Sequence, residues 1–337
     1  MAVKVGVIGC GYWGPNLIRN FSQIEATDMY YICDLDEAKM DPVEKTYPTV
    51  KATKNYKDML KDAQVDAVVI ATPVAFHFKL AKEALLDNKH VLIEKPMTSS
   101  VKEAEELIEI ARERNRILMV DHTFEYAQAI NKMKGLIESS EIGQICYIKA
   151  EWLNLGLLQP DINVIWDLGT HIYSIVSYVS GMNPISLSVN ASAYVRNGVP
   201  EVAHVYVKFP KDITMYMTVS WLEPRKIRRL TVVGNKKMLI YDLMNEEEQL
   251  KIYDKGVDLE EDVKDITQFR INYRYGDIYS PNIKKIEPLR VMCNDFADSI
   301  INNKEPISNG ISGLNVVKML EASEESIRKN GKEIMLK

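Results

Sequence analysis

Residues 3–21, "VKVGVIGCGYWGPNLIRNF", join an apolar run to a helical pattern through three glycines. The run 3–8 predicts a buried strand, and the spacing of Leu17, Ile18 and Phe21 predicts a helix behind it. Gly9, Gly11 and Gly14 complete G-x-G-x-x-G between the two. Gly9 suits the tight turn, Gly11 lets the backbone approach a pyrophosphate, and Gly14 lets the helix pack close to the sheet. The helix N-terminus then offers unpaired N–H groups to phosphate. Tyr12 and Trp13 fill the variable positions and join the expected cofactor-binding residues. Asp34 ends the second strand 20 residues beyond Gly14. An acidic group there hydrogen-bonds the adenosine ribose and repels a 2′-phosphate, which favours NAD over NADP.

Outward from this turn, apolar runs at 29–33, 65–71, 90–94 and 117–120 alternate with helical patterns near 36–46, 55–62, 74–88 and 100–114. Such alternation predicts a doubly wound parallel sheet of the Rossmann type. After about residue 122 the rhythm changes. A helix near 127–139 leads into alternating runs at 144–154, 185–195, 201–209, 212–222, 227–233, 237–242 and 249–253, and helical spacing returns in the tail. The expected fold is α/β: a Rossmann domain over 1–122, then an α+β domain over 123–337 with a large, mainly antiparallel open sheet. Residues 255–285 are polar and carry no clear assignment.

Composition narrows the function classes. The chain has 337 residues, 46% of them hydrophobic and 26% charged, with a net charge of −5. That charge argues against binding a nucleic-acid backbone. The four cysteines, Cys10, Cys33, Cys146 and Cys293, contain no C-x-x-C pair, so neither a disulfide framework nor a metal site is expected. Met1 runs directly into a strand pattern without a cleavage signal, and no segment has the length of a membrane span. A cytoplasmic enzyme without membrane partners is expected.

Chemistry-bearing residues recur at the ends of the predicted parallel strands, the ligand edge of such sheets. Thr72 and Pro73 of "ATPVAFH" suit the dinucleotide crevice; His77 either lines it too or is a solvated residue opening a helix. In "HVLIEKP", Glu94 and Lys95 end the fifth strand, and a partly desolvated lysine suits proton transfer. Farther on, "NVIWDLGTHIYSIV" at 163–176 carries one apolar stripe, Ile165, Leu168, Ile172, Ile175, Val176 and Val179. Asp167, His171, Ser174 and Tyr178 form a second, polar stripe that either meets solvent or lines a cleft.

The strand-borne G-x-G-x-x-G, "ATP…H", "EKP" and the Asp-x-x-x-His helix occur in that order, and the chain resembles the glucose–fructose oxidoreductase/inositol dehydrogenase/MocA family of NAD(P)-dependent oxidoreductases. The resemblance spans nearly the whole chain. It implies a sugar bound between the two domains, a sheet domain used for homo-oligomerisation (dimer or tetramer), and Lys95, Asp167 and His171 as catalytic residues. "GCGYWGPNLIRNF", "DHTFEY", "DINVIWDLGTH" and "WLEPRKIRRLTVVG" are similar to the branch acting on UDP-N-acetylglucosamine-type nucleotide sugars at C3. Many members have a glycine-rich lead-in to the helix, where this chain has "QPDINVIW".

On this reading His171 removes the hydroxyl proton, Asp167 orients it, and Lys95 polarises the oxygen; the lysine and histidine roles are interchangeable at this level. Tyr126, Asn154, Gln159 and Arg225 are candidate sugar contacts. The cluster Arg225, Lys226, Arg228 and Arg229 suits either a substrate diphosphate or a charged strand edge. Tyr216 and Trp221 fit either a subunit contact or the core. An NADPH-dependent ketoreductase, a free-sugar or inositol dehydrogenase, and a non-catalytic NAD- or sugar-sensing regulator are the alternatives. Asp34 opposes the first, and retention of all three catalytic residues opposes the last.

Overall fold

The computed structural model describes residues 2–159, 162–259 and 271–336. The chain begins β1 (Val3–Ile8), α1 (Gly14–Gln23), β2 (Thr27–Cys33), α2 (Glu37–Thr46), β3 (Lys51–Thr53), α3 (Tyr56–Lys61), β4 (Ala67–Ile70), α4 (His77–Leu86), β5 (His90–Ile93), α5 (Val101–Glu113) and β6 (Leu118–Val120). These six strands form one parallel sheet in the order β3-β2-β1-β4-β5-β6. Strand order reverses between β1 and β4, which is where such sheets open a ligand crevice. The edge strand β3 has only three residues, too few to show an apolar period, and it is absent from the sequence-based expectation.

Two cores sandwich this sheet, and adjacent strand residues point to opposite ones. Val69, Leu92 and Met119 enter one core; Val68, Ile70, Val91, Ile93, Leu118 and Val120 enter the other. Both faces are buried, so the strands read as unbroken apolar runs.

The chain continues through α6 (Gln128–Glu138), β7 (Ile145–Leu155), a π-helical turn (Ile165–Gly169), α7 (Thr170–Ser180), β8 (Ser186–Ser192), β9 (Val202–Lys208), β10 (Thr214–Ser220), β11 (Leu222–Gly234), β12 (Met238–Asp242), β13 (Leu250–Leu259) and β14 (Ile271–Tyr279). It ends with α8 (Pro288–Asn302), α9 (Gly310–Arg328) and β15 (Ile334–Met335). The second sheet runs β14-β13-β12-β11-β7-β10-β9-β8-β15, antiparallel throughout except where β7 meets β10. Its strands alternate: Ile148, Ala150, Trp152, Met215, Met217 and Val219 are buried, while Tyr147 and Tyr216 stand out of the other face. Trp221 is 1% exposed and belongs to the core, which removes it from any surface contact. Of the unassigned stretch 255–285, β14 accounts for 271–279, and residues 260–270 lie outside the described ones. No helix is long and apolar enough to cross a membrane among the described residues.

By contacts the chain forms two units: residues 1–127 with 286–321, and residues 128–285 with 322–337. The sequence-based division at 122/123 gave all of 286–321 to the second domain, because helical spacing does not reveal which sheet a helix covers. Leu289, Met292, Cys293 and Phe296 of α8 fill the same core as Leu17, Ile18 and Phe21 of α1. Phe296 meets Phe21 edge-on, with centroids 6.2 Å apart. Truncating Phe296 to alanine is expected to cost about 3–5 kcal/mol, measured by denaturant unfolding, because a fully buried ring leaves a cavity.

Candidate active site

In the first unit, the glycine turn separates its three glycines by role. A Cβ on Gly14 would lie 2.0 Å from the Gly9 carbonyl oxygen, and one on Gly9 would lie 2.4 Å from that of Ala71, at a φ of +102°. Both positions exclude a side chain by backbone contact alone. A Cβ on Gly11 would meet nothing within 4 Å. The folded chain does not require glycine there, and the open space is the kind a pyrophosphate occupies. Helix α1 begins beside the same space with no side-chain cap; Pro15 has no N–H and that of Asn16 donates to the Trp13 carbonyl (2.9 Å), which leaves the Gly14 N–H at the helix start.

Asp34 is half-buried at the end of β2. Its carboxylate accepts the Cys10 N–H (2.8 Å) and the Asp36 N–H (3.0 Å), tying the second strand to the glycine turn. Tyr12 (96% exposed) and Leu35 (86% exposed) leave apolar surface beside this turn, suited to cover by a ligand. The Cys10 and Cys33 thiols are pushed up to about 12 and about 11 by burial and by Asp34, so both are inert.

Polar groups without partners line the ends of three successive strands. Thr72 Oγ1 follows β4, Glu94 Oε1 follows β5, and both ring nitrogens of His122 follow β6; all are buried and receive no hydrogen bond. Native interiors rarely leave such groups unmet, and a cofactor satisfies them. The residues therefore fit a dinucleotide across the carboxyl edge. Glu94 stands beside Asp121 at the next strand end, and it is raised well above its ordinary value by burial, then by Asp121. Asp121 accepts from Trp13 Nε1 (3.0 Å), from the Thr123 N–H (3.1 Å) and from the Thr123 hydroxyl. His122 is lowered to about 4 by burial and stays neutral. Sequence reasoning missed Asp121 and His122; their signal was two polar residues directly after the apolar run of β6.

Lys95 is half-buried beside Glu94, and the Lys95–Pro96 peptide is cis. His77 is neither solvated nor open to the crevice. It is 1% exposed, with Nε2 2.7 Å from the Thr72 carbonyl oxygen and Nδ1 2.9 Å from that of Pro96. Burial lowers its pKa, and the neutral ring has one N–H, which donates to one of these two carbonyls and ties the helix start to that strand end. Tyr126 is also corrected: it is fully buried, its hydroxyl 2.9 Å from Asp295 and 3.1 Å from Ser308, and it cannot touch a sugar.

The second unit positions the Asp–His pair. Asn163 Oδ1 accepts the N–H groups of Ile165 (3.0 Å) and Trp166 (3.3 Å), and its amide donates to Glu324. The unfamiliar lead-in thus supplies a helix cap, although Pro160 and Asp161 lie outside the described residues. The Thr170 N–H reaches back five residues to the Ile165 carbonyl, which sets the π spacing. Asp167 sits in that turn and accepts from Trp221 Nε1 at 3.1 Å. His171 follows four residues on, half-buried in the first turn of α7. The polar stripe then sinks inward: Ser174 is 2% exposed, and the Tyr178 hydroxyl donates to Asn131 (2.6 Å).

The basic cluster divides. Arg228 is 8% exposed and donates to the Leu153 carbonyl (2.9 Å) and Asn154 Oδ1 (2.5 Å), its pKa lowered to about 10 by burial. Arg229 pairs with Asp242 at 2.9 Å, while Arg225 and Lys226 are exposed. Asn154 is thereby held by Arg228, and the Gln159 carbonyl accepts from Arg196.

Two family models match the chain: one described as "Oxidoreductase family, NAD-binding Rossmann fold" over residues 3–122, the other as the GFO/IDH/MocA C-terminal domain over residues 130–240. A UDP-N-acetylglucosamine 3-dehydrogenase of Acidithiobacillus ferrooxidans is 24% identical, covering 94% of each chain. Its solved structure superposes with a TM-score of 0.83 at 22% identity, over 98% of this chain and 99% of the other. A scyllo-inositol 2-dehydrogenase (NADP(+)) of Bacillus subtilis is 23% identical over 99% of this chain and 96% of its own. An aldose–aldose oxidoreductase from Caulobacter crescentus superposes with a TM-score of 0.84 at 16% identity, over the full length of both.

The glycine turn yields a direct test. Gly11→Ala is expected to move Tm by no more than about 2 °C, since it meets nothing, yet to weaken NAD binding at least about tenfold. Gly14→Ala is expected to lower Tm clearly as well. Calorimetry and NAD titration separate the two. Glu94 makes a pH-dependent contribution. Its folded-state pKa is raised, so the stability it contributes is present at low pH and lost as pH rises from 4.5 through the raised value. The melting temperature of Glu94→Gln should therefore gain on that of the wild type as pH rises above 4.5.

Proposed function

The chain belongs to the Gfo/Idh/MocA oxidoreductase family, and from that premise we propose that it oxidises a sugar hydroxyl with NAD+, acting on C3 of a UDP-N-acetylglucosamine-type nucleotide sugar. The observation that carries the proposal is the fixed carboxylate of Asp167, held by the buried Trp221 indole on a capped π turn, with His171 one turn later. A histidine with a positioned carboxylate four residues before it is suited to take a proton near neutral pH.

The glycine turn, Asp34 and Thr72 would hold NAD+, which would supply a hydride acceptor for the carbinol carbon. His171 takes the hydroxyl proton and Asp167 stabilises the imidazolium that results. Lys95, beside the half-buried Glu94, polarises the same oxygen. Asp34 supports preference for NAD, because a 2′-phosphate would meet a carboxylate that is already anchored by two backbone N–H groups. Arg225, exposed on β11, is assigned to the substrate diphosphate, since a guanidinium matches phosphate geometry. Asn154 and Gln159 remain proposed sugar contacts, Asn154 acting through the amide that its bond to Arg228 leaves available. The exposed sheet face with Tyr147, Tyr216 and the Tyr206–Tyr216 pair (5.2 Å) is the proposed homo-oligomer surface.

His171→Ala and Lys95→Met should each lower kcat by about 10²–10⁴-fold. Asp167→Asn should lower kcat more than it changes NAD affinity, and normal turnover by His171→Ala would overturn the base assignment. NAD+ reduction measured against UDP-sugars, free aldoses and inositols tests the substrate. Turnover of free inositol or glucose with none of UDP-sugars would remove the nucleotide-sugar assignment.

A further inference from the structure

The two carboxyl groups at the ends of β5 and β6 share a place that the proposed reaction does not use. Glu94 and Asp121 directly follow Ile93 and Val120, which pair between β5 and β6, so the two carboxyl groups are neighbours, and Asp121 helps to raise Glu94. Two like charges so placed disfavour ionising both, so the pair retains one proton. Three donors, Trp13 Nε1, the Thr123 N–H and the Thr123 hydroxyl, converge on Asp121. Glu94 accepts the Lys95 N–H on Oε2 (3.1 Å), and its buried Oε1 receives no donor among the described residues. The retained proton therefore sits on Glu94.

The strand order says which part of a dinucleotide this pair faces. Asp34 closes β2, on the adenosine side of the β1/β4 reversal. Glu94 and Asp121 close β5 and β6, on the other side, which serves the nicotinamide half. The nicotinamide ring is cationic when oxidised and neutral when reduced. A buried carboxyl pair is thus exposed to a change of one charge that depends only on the redox state of the ring.

We propose that the Glu94–Asp121 pair is a proton-linked sensor of the nicotinamide's redox state: NAD+ binding expels the Glu94 proton to solvent, and NADH binding retains it. The balance is one proton released for one NAD+ bound, leaving two carboxylates beside the cationic ring; no bond in the cofactor changes. The other titratable groups facing the pair are Lys95 on its own strand end, His122 after β6, and Cys293 from α8. Lys95 opposes retention of the proton. His122 is neutral, and the Cys293 thiol is pushed far up by burial, so neither supplies a competing proton near neutrality.

This inference rests on the NAD assignment, and the experiment keeps the two apart. NAD+ and NADH are titrated separately into the full-length protein by calorimetry at pH 7, in phosphate and in Tris, whose different ionisation heats report protons exchanged. The expected result is release approaching about one proton per NAD+ and close to none per NADH. Linkage then requires NAD+ affinity to rise with pH, approaching about tenfold per unit while the pair is protonated, with NADH affinity flat. Glu94→Gln should abolish the release and the slope, while His122→Gln and Cys293→Ala should keep both. Equal proton counts for the two redox forms, or release that survives Glu94→Gln, would overturn the proposal and leave the NAD assignment standing. Failure of both forms to bind would overturn the NAD assignment and the proposal with it.

Discussion

The first unit depends on one close backbone approach, that of Gly14 to the carbonyl of Gly9. Because no side chain intervenes, α1 leaves β1 through a five-residue turn and packs directly on the sheet. That approach aims the uncapped N-terminus of α1 across the carboxyl edge. It also brings Trp13 to where its indole reaches Asp121 after β6, and Cys10 to where its N–H meets Asp34 after β2. The ends of β1, β2 and β6 are thus joined through residues of a single turn.

The same edge carries an energetic cost. Each buried polar group without a partner destabilises a fold by roughly 1–3 kcal/mol. Thr72, Glu94 and His122 each contribute such atoms, and all three lie on adjacent strand ends. A protein tolerates this where a ligand later supplies the partners, and the apolar cores on both sides of the sheet offset it. In the second unit several functional and buried polar groups are held by internal donors. Trp221 holds Asp167, Arg228 holds Asn154, and three backbone N–H groups hold the buried Glu201. Asp167 is therefore oriented by the folded chain itself.

Much of this was legible in the residues. The parallel strands were unbroken apolar runs because both faces are buried, and the helices between them kept a 3.6-residue period. β3 and β14 escaped because the first is three residues long and the second is a polar, largely exposed ribbon strand. Site residues divided along a similar line. The glycine turn, Asp34, Thr72, Glu94 and Lys95 lie at strand ends of the parallel sheet, where motif and spacing placed them. Tyr126, His77 and Arg228 were misjudged because a polar side chain near a strand end looks the same whether it meets a ligand or a buried backbone carbonyl.

By itself the sequence determined the fold class, the dinucleotide turn and the presence of an Asp–His pair on one helix, because periodicity and local spacing are properties of neighbours along the chain. Tertiary structure alone decided that α8 completes the first core, that Gly11 is free of steric need while Gly9 and Gly14 are not, and that Trp221 is an internal donor to Asp167. It also decided that Glu94 and Asp121, 27 positions apart, are neighbours at adjacent strand ends. These depend on burial and on contacts between distant segments, and burial sets whether a polar atom meets water, a partner or nothing.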